Sequence, residues 1–161
     1  MVSKAKAPLR LGLAGGGTDV SPYCDLFGGE VVNAAISLYA YASVTSIKEE
    51  LIIFRHEDLE PVQYTLTSHI LPRGDQYDLH AGVLNRFLKE YGDLDRGINL
   101  ATKVDVEMGS GLGTSSTLIV AMLGALLEYK GISLDKKEIA ALACSIERHD
   151  LQHVGGKQDQ Y

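Results

Sequence analysis

The residues best suited to chemistry form one run: Gly109-Ser110-Gly111-Leu112-Gly113-Thr114-Ser115-Ser116. Glycines at alternate positions let the backbone curl until several N–H groups face one anion. The hydroxyls of Thr114, Ser115 and Ser116 can add donors or a metal ligand. Two common phosphate loops do not fit. The G-x-x-x-x-G-K-[ST] loop needs a lysine that is missing here, and the G-x-G-x-x-G fingerprint counted from Gly109 meets Thr114 where its third glycine belongs. The residues themselves leave two readings open, a phosphate cradle or a glycine-rich turn with a serine N-cap. Further glycine clusters are Gly15-Gly16-Gly17 ahead of Thr18-Asp19, the pair Gly28-Gly29, and Gly155-Gly156 ahead of Lys157-Gln158-Asp159-Gln160. His149 and His153 flank Asp150, with Glu147 nearby, but no clear third ligand completes a zinc set.

Positioning these residues needs strands and helices around them. Leu9, Leu11 and Leu13 alternate with Arg10 and Gly12, a strand beginning at Pro8 and running into the first glycine cluster. Residues 30–47 are rich in β-branched and tyrosine residues and read as strands. Residues 51–55 and 62–66 read as a hairpin. Leu79, Val83, Leu84, Phe87, Leu88 and Tyr91 mark one helix face over 77–91, stopped by Gly92. Ile98, Leu100, Val104 and Val106 keep a period of two and lead into Gly109. The helix after the glycine loop, about 117–129, is apolar nearly all round and should be buried. Ser133 opens another helix, with Asp135 and Glu138 in its first turns and Ile139, Leu142, Ala143 and Ile146 on its buried face, ending near Arg148-His149. Strands first and then a mixture with helices predict an α+β fold.

The run Gly109–Ser116 resembles the phosphate-binding motif of the GHMP kinases, a proline followed by G-x-G-L-G-S-S-[SA]. Glu107 and Met108 stand where the family usually has that proline. Pro8-Leu9-Arg10-Leu11-Gly12-Leu13-Ala14-Gly15-Gly16-Gly17-Thr18-Asp19 resembles the family's first motif, and Gly155-Gly156-Lys157-Gln158-Asp159-Gln160 resembles the segment that holds its catalytic aspartate. Three motifs in the right order span nearly the whole chain. The resemblance implies the ribosomal protein S5 domain 2-like fold, and transfer of phosphoryl from ATP, with Mg²⁺, to a sugar hydroxyl.

Roles follow residue by residue from the resemblance. Asp159 faces the acceptor hydroxyl and accepts or orients its proton. Arg10 supports the charge of Asp159 or of the transferred group. The eight residues of the glycine loop hold the nucleotide. Gly16, Gly17, Thr18 and Asp19 contact the acceptor, and Lys157 is a candidate for a substrate phosphate. Ser115 and Glu147 are the implied Mg²⁺ ligands. Glu147 lies near a helix C-terminus, where the dipole disfavours a carboxylate. The finer pattern implies a heptose 7-phosphate, phosphorylated at its anomeric hydroxyl. The alternatives are fucose or another hexose, or a domain that binds nucleotide without turnover. The fucose-specific pattern usually has tryptophan at the position of Gly17.

Composition agrees with this reading. The chain has 161 residues, 45% hydrophobic and 22% charged, with net charge −6. That balance fits a globular protein, and the lack of a basic stripe argues against nucleic acid as a partner. Two cysteines, Cys24 and Cys144, are too few for a disulfide framework and fit a reducing cytoplasm. The longest apolar run, 118–127, falls short of the roughly 20 residues that span a bilayer, and the N-terminus carries no apolar signal segment. The family's members are about twice this length, so residues 1–161 are expected to be the ATP-binding half of a larger kinase, inactive or weakly active alone.

Overall fold

A computed structural model describes residues 1–66, 71–74, 76–107 and 109–161; Met108, at the entrance to the glycine loop, lies outside the described residues. Five strands, β1 (Val2–Ala14), β2 (Val32–Ser46), β3 (Leu51–His56), β4 (Leu59–Thr65) and β5 (Ile98–Val104), form one sheet in the order β1-β2-β5-β3-β4. Among the described residues only the β3–β5 pair is parallel. The β1–β2, β2–β5 and β3–β4 pairs are antiparallel.

Alternation decides which sheet face is covered. Ala40, Ala42 and Val44 of β2, Ile52 and Phe54 of β3, and Ile98, Leu100 and Val104 of β5 are buried. They pack beneath helices α2 (Asp78–Tyr91) and α3 (Thr114–Lys130), while intervening residues such as Lys103 and Arg55 stay exposed. Helices on one face of a largely antiparallel sheet make the mixed, α+β arrangement that the element order predicts. As its composition requires, α3 is central: Ile119, Met122, Leu123, Ala125 and Leu126 are fully enclosed. A short helix, α1 (Tyr23–Phe27), follows the first glycine cluster. Helix α4 (Lys136–Ser145) runs directly into a π-helical turn, Ile146–Asp150.

Several boundaries differ from the periodicity. Strand β1 begins at Val2, because its first half pairs with β2 out to Thr45. Pro8 therefore sits inside a strand, which is tolerated because β1 is the sheet edge and Pro8 owes no hydrogen bond on its open side. Leu9 is fully buried, but Leu11 and Leu13 are 47% and 64% exposed. The β1–β2 register shifts after Pro8 and again after Gly12, carrying this end of the ribbon away from α3. Helix α3 starts three residues earlier than its apolar run suggests. In α4 the N-cap is Asp135, in a reciprocal capping box with Glu138, so Ser133 precedes the helix. Among the described residues, no helix is long and apolar enough to cross a membrane.

Candidate active site

The glycine loop spans the gap between β5 and the N-terminus of α3. Gly109, Gly111 and Gly113 all take positive φ, at 85°, 75° and 76°, so alternate peptide units are turned over and the loop forms a concave nest. Gly113 is the N-cap of α3. Among the described residues, the N–H groups of Gly111, Leu112, Gly113, Thr114 and Ser115 have no backbone or side-chain acceptor. They present five donors and the positive end of a 17-residue helix to one small region. This is the chemistry of an anion site. A cavity of about 210 Å³ opens beside it, lined by Thr114, Ser115, Leu118, Leu59 and Leu79 among others. Ser115 is exposed toward solvent, whereas Thr114 and Ser116 are buried.

Arg10 and Asp159 meet directly above this loop although 149 positions separate them. Nε of Arg10 donates to Oδ1 of Asp159, Nη2 forms an ion pair with the same oxygen, and Nη1 donates to the carbonyl of Gly111 at 3.0 Å. The Oδ2 atom of Asp159 is left without a hydrogen bond among the described residues. A methyl group on Gly113 would stand 3.0 Å from Cγ of Asp159. Gly113 is thus needed twice, for its left-handed backbone and for the close approach of this carboxylate.

Glu147 is only 6% exposed. Its Oε2 accepts from Ser116 Oγ at 2.7 Å and from Gln160 Nε2. Its Oε1 faces Arg148 at 3.6 Å and takes no hydrogen bond. Ser115 and Glu147, the implied metal ligands, share no hydrogen bond among the described residues; the neighbouring hydroxyl, Ser116, points inward and donates to the carboxylate. The π-helical turn carries Glu147 inward toward the loop although the α-helix has already ended, a placement that such turns often provide at functional sites. An ion with one protein carboxylate and otherwise phosphate and water oxygens fits the free Oε1. Among the described residues no group of three His, Cys, Asp or Glu could hold a metal.

The first glycine cluster closes onto the last. Oδ2 of Asp19 accepts from the N–H groups of Lys157 at 2.7 Å and Gln158 at 3.0 Å. Its Oδ1 is buried with no hydrogen bond among the described residues, and Asp19 lines a second cavity of about 700 Å³. Burial pushes the Asp19 carboxyl up, but the N–H donors of Gln158 and Lys157, with its own and that of Gly17, bring it below the ordinary 3.8. A carboxyl lowered on folding stabilises the protein above its unfolded value, and this contribution disappears as the pH falls through the folded value. Asp19→Asn should therefore flatten the acid side of the stability profile below about pH 4. Thermal melts from pH 7 to pH 2.5 test this, and parallel acid limbs for both proteins would refute it.

Thr18 is used differently from the expectation of a substrate contact. Its hydroxyl reaches the carbonyls of Gly15 at 2.8 Å and Glu30 at 3.0 Å, and accepts from Glu30 N–H at 3.1 Å. It ties the loop to the strand that follows. Gly16 and Gly17 stay exposed, Gly16 beside Gln158. Ser116 was expected in the nucleotide loop but not as the partner of Glu147, and Gln160 and Arg148 escaped sequence reasoning as site residues. Gln160 could have been suspected from its place in the Gly155–Gln160 motif, whereas Arg148 gave no signal apart from its charge.

Residues 78–161 match the family model described as GHMP kinases N terminal domain. A D-glycero-alpha-D-manno-heptose 7-phosphate kinase of Campylobacter jejuni is 42% identical over 98% of this chain and 47% of its own length. An L-fucokinase/L-fucose-1-P guanylyltransferase of Bacteroides fragilis is 30% identical over 97% of this chain and 19% of its own. A crystal structure of a D-glycero-D-manno-heptose 1-phosphate kinase from Bacteroides thetaiotaomicron superposes with a TM-score of 0.92 at 43% identity, covering all of this chain and 52% of that one. The chain spans about half the length of the first of these relatives and less of the second.

Proposed function

We propose, from the premise that this chain belongs to the GHMP kinases, that it is the ATP-binding half of a sugar kinase acting on the anomeric hydroxyl of D-glycero-D-manno-heptose 7-phosphate. The observation that carries this reading is the Arg10–Asp159 pair seated on the glycine loop. One carboxylate oxygen is held by the guanidinium, and the other faces outward at the edge of an anion nest. That geometry suits an acceptor hydroxyl lying between a base and a phosphate.

The loop from Gly109 to Ser116 would hold the phosphates through its N–H groups, with the base in the adjoining cavity. ATP would supply the phosphoryl group, and Mg²⁺ would offset its charge. Glu147, through Oε1, would hold the metal ion, with Ser115 as the exposed hydroxyl at the same helix start. Oδ2 of Asp159 would accept or orient the acceptor proton. Arg10 would keep the carboxylate fixed and bring positive charge to the loop, where negative charge accumulates during transfer. Asp19 Oδ1 would accept from a sugar hydroxyl, satisfying an oxygen otherwise buried alone. The 42% identity to the Campylobacter enzyme favours the heptose phosphate over the hexose alternatives.

A coupled assay of ADP release by the full-length kinase, run over a panel of sugars and sugar phosphates, tests the reading. Turnover on the heptose 7-phosphate with formation of the 1,7-bisphosphate is the expected result. Turnover on fucose, with none on the heptose phosphate, would replace the acceptor. The 161-residue domain alone is expected to bind nucleotide with little or no turnover.

A further inference from the structure

The cavity beside Asp19 extends far beyond the one carboxylate oxygen that a sugar hydroxyl needs. It is also lined by Cys144 and Ser145 of α4, by Arg148 and His149 of the π-helical turn, and by Lys157. The backbone of Lys157 is fixed by Asp19, but its side chain is exposed and its ammonium has no hydrogen bond or ion pair with any described residue. The charge is felt on both sides of the cavity. Burial pushes the Cys144 thiol up, and the positive fields of Arg148 and Lys157 oppose this. The hydrogen bonds from Ser21 and Cys24 lower Asp25 of α1, and the same ammonium adds to this.

His149 faces the cavity from the π-helical turn. Its Nδ1 lies 3.3 Å from Ser145 Oγ, which leaves Nε2 available. Arg148 has both Nη atoms committed, to the carbonyls of His153 at 3.0 Å and of Gly156. It holds the loop that carries Lys157 and adds fixed positive charge. The lining thus contains Arg148, whose charge is paired with Glu147 behind it at 3.6 Å, the unpaired ammonium of Lys157 and the imidazoles of His149 and His153, with one carboxylate, Asp19. This positive character is local, since the protein as a whole is acidic with net charge −6. The carboxylate itself is partly neutralised by two N–H donors, and its remaining oxygen is buried and unpartnered.

We infer that the Lys157–His149 end of this cavity binds a phosphate monoester carried by the acceptor, while the Asp19 end takes a hydroxyl of the same molecule, so that the cavity selects phosphorylated over free sugars. The inference rests on the sugar-kinase reading for its acceptor. Lys157 is the direct phosphate ligand, His149 adds a second donor, and Arg148 positions the loop between them.

Lys157→Met in the full-length kinase should raise KM for the sugar phosphate about 10- to 100-fold while changing KM for ATP less than twofold. KM for the corresponding free sugar should not move, and Lys157→Arg should restore most of the loss. Equal changes for phosphorylated and free sugars, or a rise in KM for ATP instead, would overturn the proposal. An arm without turnover separates it from the kinase reading. Inorganic phosphate, titrated into the protein without nucleotide, should shift the His149 ring resonances saturably in the wild type and not in Lys157→Met, with sulfate as a weaker competitor. No saturable shift overturns the subsite even if the kinase is active, whereas a shift in a protein that phosphorylates no sugar keeps the subsite and discards the reaction.

Discussion

Asp159→Asn in the full-length kinase is expected to lower kcat by about a thousandfold, within the range general-base groups contribute, and to leave ATP affinity nearly unchanged. Asparagine keeps the size of the side chain and one oxygen for Arg10, so the contact with Gly113 and the link to the Gly111 carbonyl can persist. What it removes is the carboxylate oxygen that takes no hydrogen bond within the protein and is free to meet the acceptor. Steady-state turnover together with calorimetric ATP binding separates these two effects. Activity within tenfold of wild type would show that Asp159 does not handle the acceptor proton. Loss of ATP affinity in parallel with kcat would assign the residue to shaping the loop.

Gly156→Ala should lower stability by parting the two glycine loops of the site. A methyl group there would overlap the carboxylate of Asp19 from all sides. Gly156 is not at positive φ, so the cost comes from space rather than from backbone strain. Relieving the overlap means moving Asp19 off the N–H groups of Lys157 and Gln158. Hydrogen bonds to a charged group contribute about 1.5–3 kcal/mol each, so the loss of both is on the order of 3 kcal/mol or more. For a domain of this size that corresponds to a fall in Tm of roughly 10 °C. The acceptor loop would separate from the first glycine cluster, and acceptor binding should weaken with it. A cycle with Asp19→Ala checks the cause: the double variant should lose clearly less than the sum of the single losses. A Tm shift below 2 °C, or strict additivity, would show that the two loops are not held by this contact.

The parts of this site that depend on neighbours in the chain were legible from residues alone. The strand, glycine loop and helix between Ile98 and Lys130 follow from a period of two, from alternate glycines and from an unbroken apolar run, each a local signal. The α+β arrangement and the family resemblance followed from motif types and their order. Boundaries were less legible where a partner strand or cap decided them. Val2–Ala7 join β1 because β2 is long enough to pair with them, and Asp135 rather than Ser133 caps α4 because Glu138 can answer it.

Chemistry that depends on distance in the chain was decided only by the tertiary structure. The sequence suggested that Arg10 supports Asp159 but not how. That Nε and Nη2 both meet one oxygen, leaving the other open, depends on how β1 and the Gly155–Gln160 segment meet over the glycine loop. The phase of α3 and the π-helical turn bring Ser116, not Ser115, to Glu147. Thr18 and half of the Asp19 carboxylate hold loops together, because backbone groups at chain separations of 12 and 138 need acceptors and donors where the chain crosses itself. Residue types and local spacing determined what this protein can bind and which element presents it. Long-range packing decided which oxygen of each carboxylate remains free, because hydrogen-bond satisfaction inside a fold is settled by whatever surface arrives opposite.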